Sequence, residues 1–153
     1  MTVGIIFSFS SLVFFVLLLV FVPKHLTKQE FYSTFFVMIA LTLISDLTFG
    51  HLFDMYDFFK DEITFTDLFL QLTLPPTIGV LILNFMPLQT ARFIYYWIAI
   101  TILSLLYEWL SVITGYLVYK GWIILYSVPF YSLGLLYLRW HLFFLRGQTS
   151  SNR

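Results

Sequence analysis

Apolar residues in this chain come in long unbroken blocks. The first covers residues 3–22 without a charge and stops at Pro23-Lys24. The second, 31–50, is interrupted only by Asp46. The third, 68–88, is free of charge, with Pro75-Pro76 inside it and Pro87 near its end. The fourth, 93–117, surrounds Glu108, and the fifth, 121–140, has no charge before Arg139. A helix rises 1.5 Å per residue, so a bilayer core of about 30 Å takes roughly 20 apolar residues to cross. Each block is long enough, and none alternates as the strands of a membrane barrel would. The pattern predicts an all-α integral membrane protein, a five-transmembrane-helix bundle forming a single domain over residues 1–146. The first block reads as a retained span. No positive charge precedes it, the run is too long for a signal peptide, and no small-residue cleavage site follows.

The linkers are short except for 51–67, HLFDMYDFFKDEITFTD, an acidic and aromatic loop. After Arg146 the small polar residues 147–153 predict a flexible tail. Orientation follows from lysine and arginine. With the N-terminus outside, the inner face collects Lys24, Lys28, Arg92, Arg139, Arg146 and Arg153, and the outer face only Lys60 and Lys120. The reading is therefore N-terminus outside, C-terminus cytoplasmic.

Composition narrows the functional classes. The chain is 60% hydrophobic and only 10% charged, with a mean hydropathy of +0.92. A soluble domain carries about a quarter charged residues, so soluble enzymes and nucleic-acid binders drop out. A formal net charge of zero gives no electrostatic case for a polyanionic partner. The absence of cysteine excludes disulfides, thiolate metal sites and thiol catalysis.

Ionisable groups inside spans are costly and face the bundle interior, so each is a candidate for function. Asp46 lies sixteen residues past Glu30 and Glu108 sixteen past Arg92, which places both roughly 24 Å from the inner face. Pro75 and Pro76 cannot donate to the carbonyls of Gln71 and Leu72, and Tyr126 and Ser127 reach the same depth in the fifth span. Asp46, Glu108, Gln71, Pro75, Pro76, Tyr126 and Ser127 thus form a candidate polar layer for a cation, a shared proton or a small polar ligand. The competing reading is that these groups only hydrogen-bond across helices and hold the bundle together.

In the outer loop Asp54, Asp57 and Asp61 would share one face of a helix and could hold a hard divalent cation. Against this, acids keep an outer loop in water while Phe53, Tyr56, Phe58 and Phe59 lie in the interface as an aromatic belt. At the inner face Arg92, Arg139 and His141 are expected at lipid headgroups. Glycines such as Gly79 or Gly134 suit close helix contacts. No HExxH, GxSxG, phosphate-binding loop or nucleotide fingerprint occurs, and no histidine lies deep in a span, so no cofactor is expected and an enzyme has no motif to stand on.

Several segments together carry a resemblance. They are Ser45-Asp46-Leu47 leading into Met55-Tyr56-Asp57-Phe58, Leu74-Pro75-Pro76-Thr77, Asn84-Phe85-Met86-Pro87, Glu108, Tyr119-Lys120-Gly121-Trp122 with Tyr126-Ser127, and Arg139 with His141. Between about Pro23 and His141 the chain resembles a family of small multi-span membrane proteins of spore-forming Gram-positive bacteria. The doubled proline at 75–76 departs from the single proline of that pattern. The resemblance implies a bacterial cytoplasmic-membrane location and a link to sporulating cells. It implies no reaction. The expected function is that of a non-enzymatic subunit or binding partner in a membrane assembly, or of a homo-oligomer. The alternative is a small proton- or cation-coupled transporter or channel component that uses Asp46 and Glu108, with the doubled proline supplying a broken helix. A lipid-modifying enzyme is the third class.

Overall fold

The computed structural model describes residues 2–59 and 65–151. Five α-helices dominate it: α1 (Thr2–Phe21), α2 (Lys28–Ser45), α3 (Phe65–Asn84), α4 (Thr90–Ile113) and α5 (Ile124–Ser151). α2 continues without a break into a π-helical segment, Asp46–Leu52. Two short strands, β1 (Tyr56–Phe58) and β2 (Leu117–Tyr119), pair antiparallel.

Four stretches are long and apolar enough to cross a membrane: Val3–Phe21, Lys28–Leu52, Phe65–Asn84 and Thr90–Ile113. α5 has the length, at 28 residues. Its tyrosines, serines, Pro129, Arg139 and His141 dilute its apolar character. It also runs past the expected end at residue 140 and over 147–151, where the sequence predicts a tail.

Local chemistry sets the helix ends. Pro23 follows the end of α1, and the Lys24 ammonium donates to two of the last carbonyls of that helix, those of Leu19 and Val20, and to that of Val22 just beyond it. α2 starts with a capping box: Thr27 Oγ1 accepts the Glu30 N–H at 3.2 Å, and Glu30 Oε2 accepts the Thr27 N–H at 2.7 Å. α4 stops at Ile113 because the chain turns through Gly115, whose φ of +74° suits glycine. The fourth expected span therefore ends four residues early.

α3 is the central helix. It packs against α2 and α1 and touches α5, while α4 pairs with α5. Pro75 and Pro76 sit within α3, which stays helical through both. The helix break expected there is absent. Hydroxyls on either side of the prolines add local bonds to other carbonyls than those of Gln71 and Leu72, with Thr73 Oγ1 donating to the Phe69 carbonyl at 2.6 Å and Thr77 Oγ1 to that of Thr73 at 2.7 Å. Gly79 lets the Met38 side chain of α2 lie against α3, whereas Gly134 faces open space.

Two apolar clusters mark the two ends of the bundle. One gathers Leu83, Met86, Phe93, Leu138 and Leu142, and the other Phe59, Leu70, Leu74 and Tyr116. The first end also holds the basic residues. There Asn84 Oδ1 accepts the His25 N–H at 2.8 Å and Asn84 Nδ2 donates to the Pro23 carbonyl at 2.9 Å, tying the α1–α2 linker to α3. Arg146 pairs with Glu30 at 2.7 Å and so joins the end of α5 to the start of α2.

The opposite end is closed by a cap. β1 and β2 form its ladder, and the Met55 carbonyl accepts three successive N–H groups, from Lys120, Gly121 and Trp122, at 2.9–3.0 Å. Lys120 Nζ bridges Asp54 at 2.6 Å and Asp57 at 2.8 Å. The start of α1 packs under the turn after α4 so closely that a Cβ on Gly4 would lie 2.9 Å from the Gly115 carbonyl carbon. This cap replaces the helical face expected for Asp54, Asp57 and Asp61. Asp54 takes a left-handed φ of 48° and Asp57 lies in β1, while Asp61 falls outside the described residues. Phe59, expected in the interface, turns inward against Tyr116.

Candidate functional site

Three carboxyls, Asp46, Asp67 and Glu108, are buried beneath the cap, and they fall into two sets, one around Asp46 and one around Glu108. Asp46 sits where α2 passes into the π-helical segment. The wider π turn re-aims side chains, and such segments recur at functional positions. Gly50 leaves room for the carboxyl, since a Cβ there would lie 3.0 Å from Asp46 Oδ1. Asp46 is 8% exposed. His51 Nε2 stands 3.6 Å from its Oδ2, Gln71 of α3 donates to it, and Asp57 and Asp67 act on it electrostatically. Together with Tyr56 and Phe58 these groups line a partly open cleft of about 40 Å³. That volume has room for about two or three waters.

Glu108, on the buried stripe of α4, is 4% exposed. Its Oε1 accepts hydrogen bonds from Tyr119 Oη at 2.5 Å and Ser127 Oγ at 2.6 Å. Trp122 Nε1 donates to Ser127 Oγ at 2.8 Å, which fixes that hydroxyl in place. The Tyr131 hydroxyl also lies by the carboxyl. Oε2 is buried and has no hydrogen-bond partner. The set draws on α4, β2 and α5, so the cap and the α4–α5 pair build it together.

Tyr56 of β1 connects the two sets. Burial first, and then the charges of Asp46 and Glu108, hold its phenol well above the usual tyrosine value. In the cap above Glu108, burial and then Glu108 itself push the Tyr119 phenol up in the same way.

The expected polar layer thus divides in two. The structure joins Asp46 with Gln71 and Glu108 with Ser127. Tyr126 is 47% exposed, with its ring against Trp122, and takes no part in the Glu108 set. Pro75 and Pro76 lie in α3 and do not line the cleft. Sequence reasoning missed Asp67 and His51 around Asp46, and Tyr119, Trp122 and Tyr131 around Glu108. Helical spacing held part of that signal: Asp67 and Gln71, like Ser127 and Tyr131, are four residues apart on one face.

Asp54 and Asp57 are engaged by Lys120, and their hydrogen bonds hold that ammonium above the usual lysine value. Among the described residues no group of three or more histidines and acids is arranged to hold a metal ion. At the basic end Arg92 is exposed. Arg139 is half-buried. Its guanidinium lies 4.0 Å from the centre of the Phe93 ring and donates to the Leu88 carbonyl and Thr90 Oγ1, both at 3.2 Å. His141 is 5% exposed and stacks on Tyr137, because α5 runs on beyond it and leaves it in mid-helix.

Comparison with known proteins returns no matching family model, no matching curated protein and no matching solved structure.

Proposed function

We propose that this chain is a multi-pass protein of a bacterial cytoplasmic membrane, with five spans, the cap outside and the C-terminus inside, acting non-enzymatically as a subunit or binding partner in a membrane assembly. The observation that carries this reading is the thin internal contact of α4. Over 24 residues it buries only Phe93, Thr101, Glu108 and Ser111 against its own chain. The remaining surface, including Ile94, Ile98, Ile102, Leu106 and Ile113, is apolar and uncovered. Such a face is a liability in water but suits lipid or another membrane helix. Purification in mild detergent, with light scattering to separate protein from detergent mass, tests the reading. A fixed-ratio particle heavier than one 18.1 kDa chain is expected. A monodisperse single chain contradicts it.

The second reading is a proton- or cation-coupled component, favoured by the buried Glu108 oxygen that has no partner. Flux in liposomes that falls on neutralising Asp46 or Glu108 is its expected outcome.

A further inference from the structure

Among the described residues four acids face a basic side chain: Glu30 faces Arg146, Asp46 faces His51, and Asp54 and Asp57 face Lys120. Glu108 differs. It is among the most buried of them, and among the described residues no lysine, arginine or histidine pairs with it. Its neighbours are oxygen-bearing groups, the hydroxyls of Tyr119, Ser127 and Tyr131. One carboxylate oxygen is doubly bonded by donors, while the other has none. A buried polar atom without a partner in an otherwise ordered network calls for an explanation, and a bound ion or water is among the usual ones. A buried carboxyl group either takes up a proton or is balanced by a cation.

The chemistry of the donors selects the ion. A carboxylate and hydroxyls are hard oxygen ligands, unsuited to soft transition metals. A calcium ion takes six to eight oxygens and several acids, and the second acid, Asp46, already has His51 and Gln71. A single carboxylate balances a single positive charge. We propose that Glu108 holds a monovalent metal cation of the sodium class, with Oε2 as the anionic ligand and the Tyr131 hydroxyl oxygen as a neutral one. This deepens the cation-coupled reading by naming which carboxyl binds and what it binds. Occupancy is read in detergent, so a failure of liposome flux would remove transport and leave the site standing.

The test is equilibrium dialysis of the full-length chain in detergent against radiolabelled sodium, with choline keeping the ionic strength constant. Wild type is expected to retain about one sodium per chain, matching one carboxylate. Glu108→Gln should abolish retention and Asp46→Asn should leave it unchanged. Tyr131→Phe, which keeps the ring and removes only the oxygen, should weaken binding tenfold or more. It decides the matter if Glu108→Gln elutes as aggregate in size exclusion. No retention by wild type, or wild-type affinity in Tyr131→Phe or in a folded Glu108→Gln, overturns the proposal.

Discussion

Asn84 shows how much one polar residue can fix in an apolar chain. It is buried at the end of α3, and its amide satisfies both the His25 N–H and the Pro23 carbonyl. Asn84→Leu strands both backbone groups, so a loss of about 2–3 kcal/mol is expected, read by thermal melting in detergent. Glu108 allows a cleaner comparison. Glu108→Gln keeps an acceptor for Tyr119 and Ser127, and its stability should stay within about 1 kcal/mol of wild type. Glu108→Leu leaves both hydroxyls without that acceptor and should cost about 2 kcal/mol more than the glutamine variant. Equal melting of the two would show that these bonds do not hold α4 to α5. At this scale the sequence was informative about identity and poor on partners. Asp46 and Glu108 stand out because a lone acid in an apolar block is expensive. Their different neighbours depend on which helices meet, which block hydropathy does not encode.

Among the elements, the cap is the one least legible beforehand. Long apolar runs announce helices directly. Three-residue strands in an acidic loop carry no periodicity to read, and the pairing of β1 with β2 joins residues about sixty positions apart. The π-helical segment was invisible for the same reason, since its residues read as the end of an ordinary span. The helix in α3 survives Pro75-Pro76 because the apolar run and the packing on α1 and α2 outweigh the lost bonds. The cap also has a pH signature. The Lys120 ammonium is held above its usual value by Asp54 and then Asp57, and the Tyr119 phenol is raised by burial and then by Glu108. In both cases the folded state keeps its proton longer than the unfolded chain. The stabilisation is therefore complete below the unfolded values, near pH 10 for tyrosine and lysine, and is lost as pH rises through the folded ones. Hydrogen exchange at β1 and β2 should show protection steady through neutral pH and falling in that alkaline range. Gly4→Val, which drives side-chain atoms into the Gly115 backbone, should loosen the same cap by about 1–3 kcal/mol.

For the whole molecule, the two ends differ in chemistry. Most of the acids and the strand pair gather at one, and Lys24, Lys28, Arg92 and Arg146 at the other. Contacts of α1, α2 and α5 at these ends fit helices that alternate in direction, with His25 against Asn84 at one end and Gly4 against Gly115 at the other. Among the described residues, four helices are long and apolar enough to cross a membrane. In the proposed topology α5 is the decisive helix, because a fifth crossing would put the C-terminus on the side opposite the polar cap. The chain has no cysteine, and Gly121, Gly134 and Gly147 all face open space, so a single cysteine at each is tolerated sterically. Labelling of intact cells with a membrane-impermeant maleimide therefore tests the topology directly. Gly121→Cys should react, Gly147→Cys should react only after permeabilisation, and Gly134→Cys should stay shielded in both. Reaction of Gly121→Cys and Gly147→Cys from the same side of the membrane would contradict the five-span account.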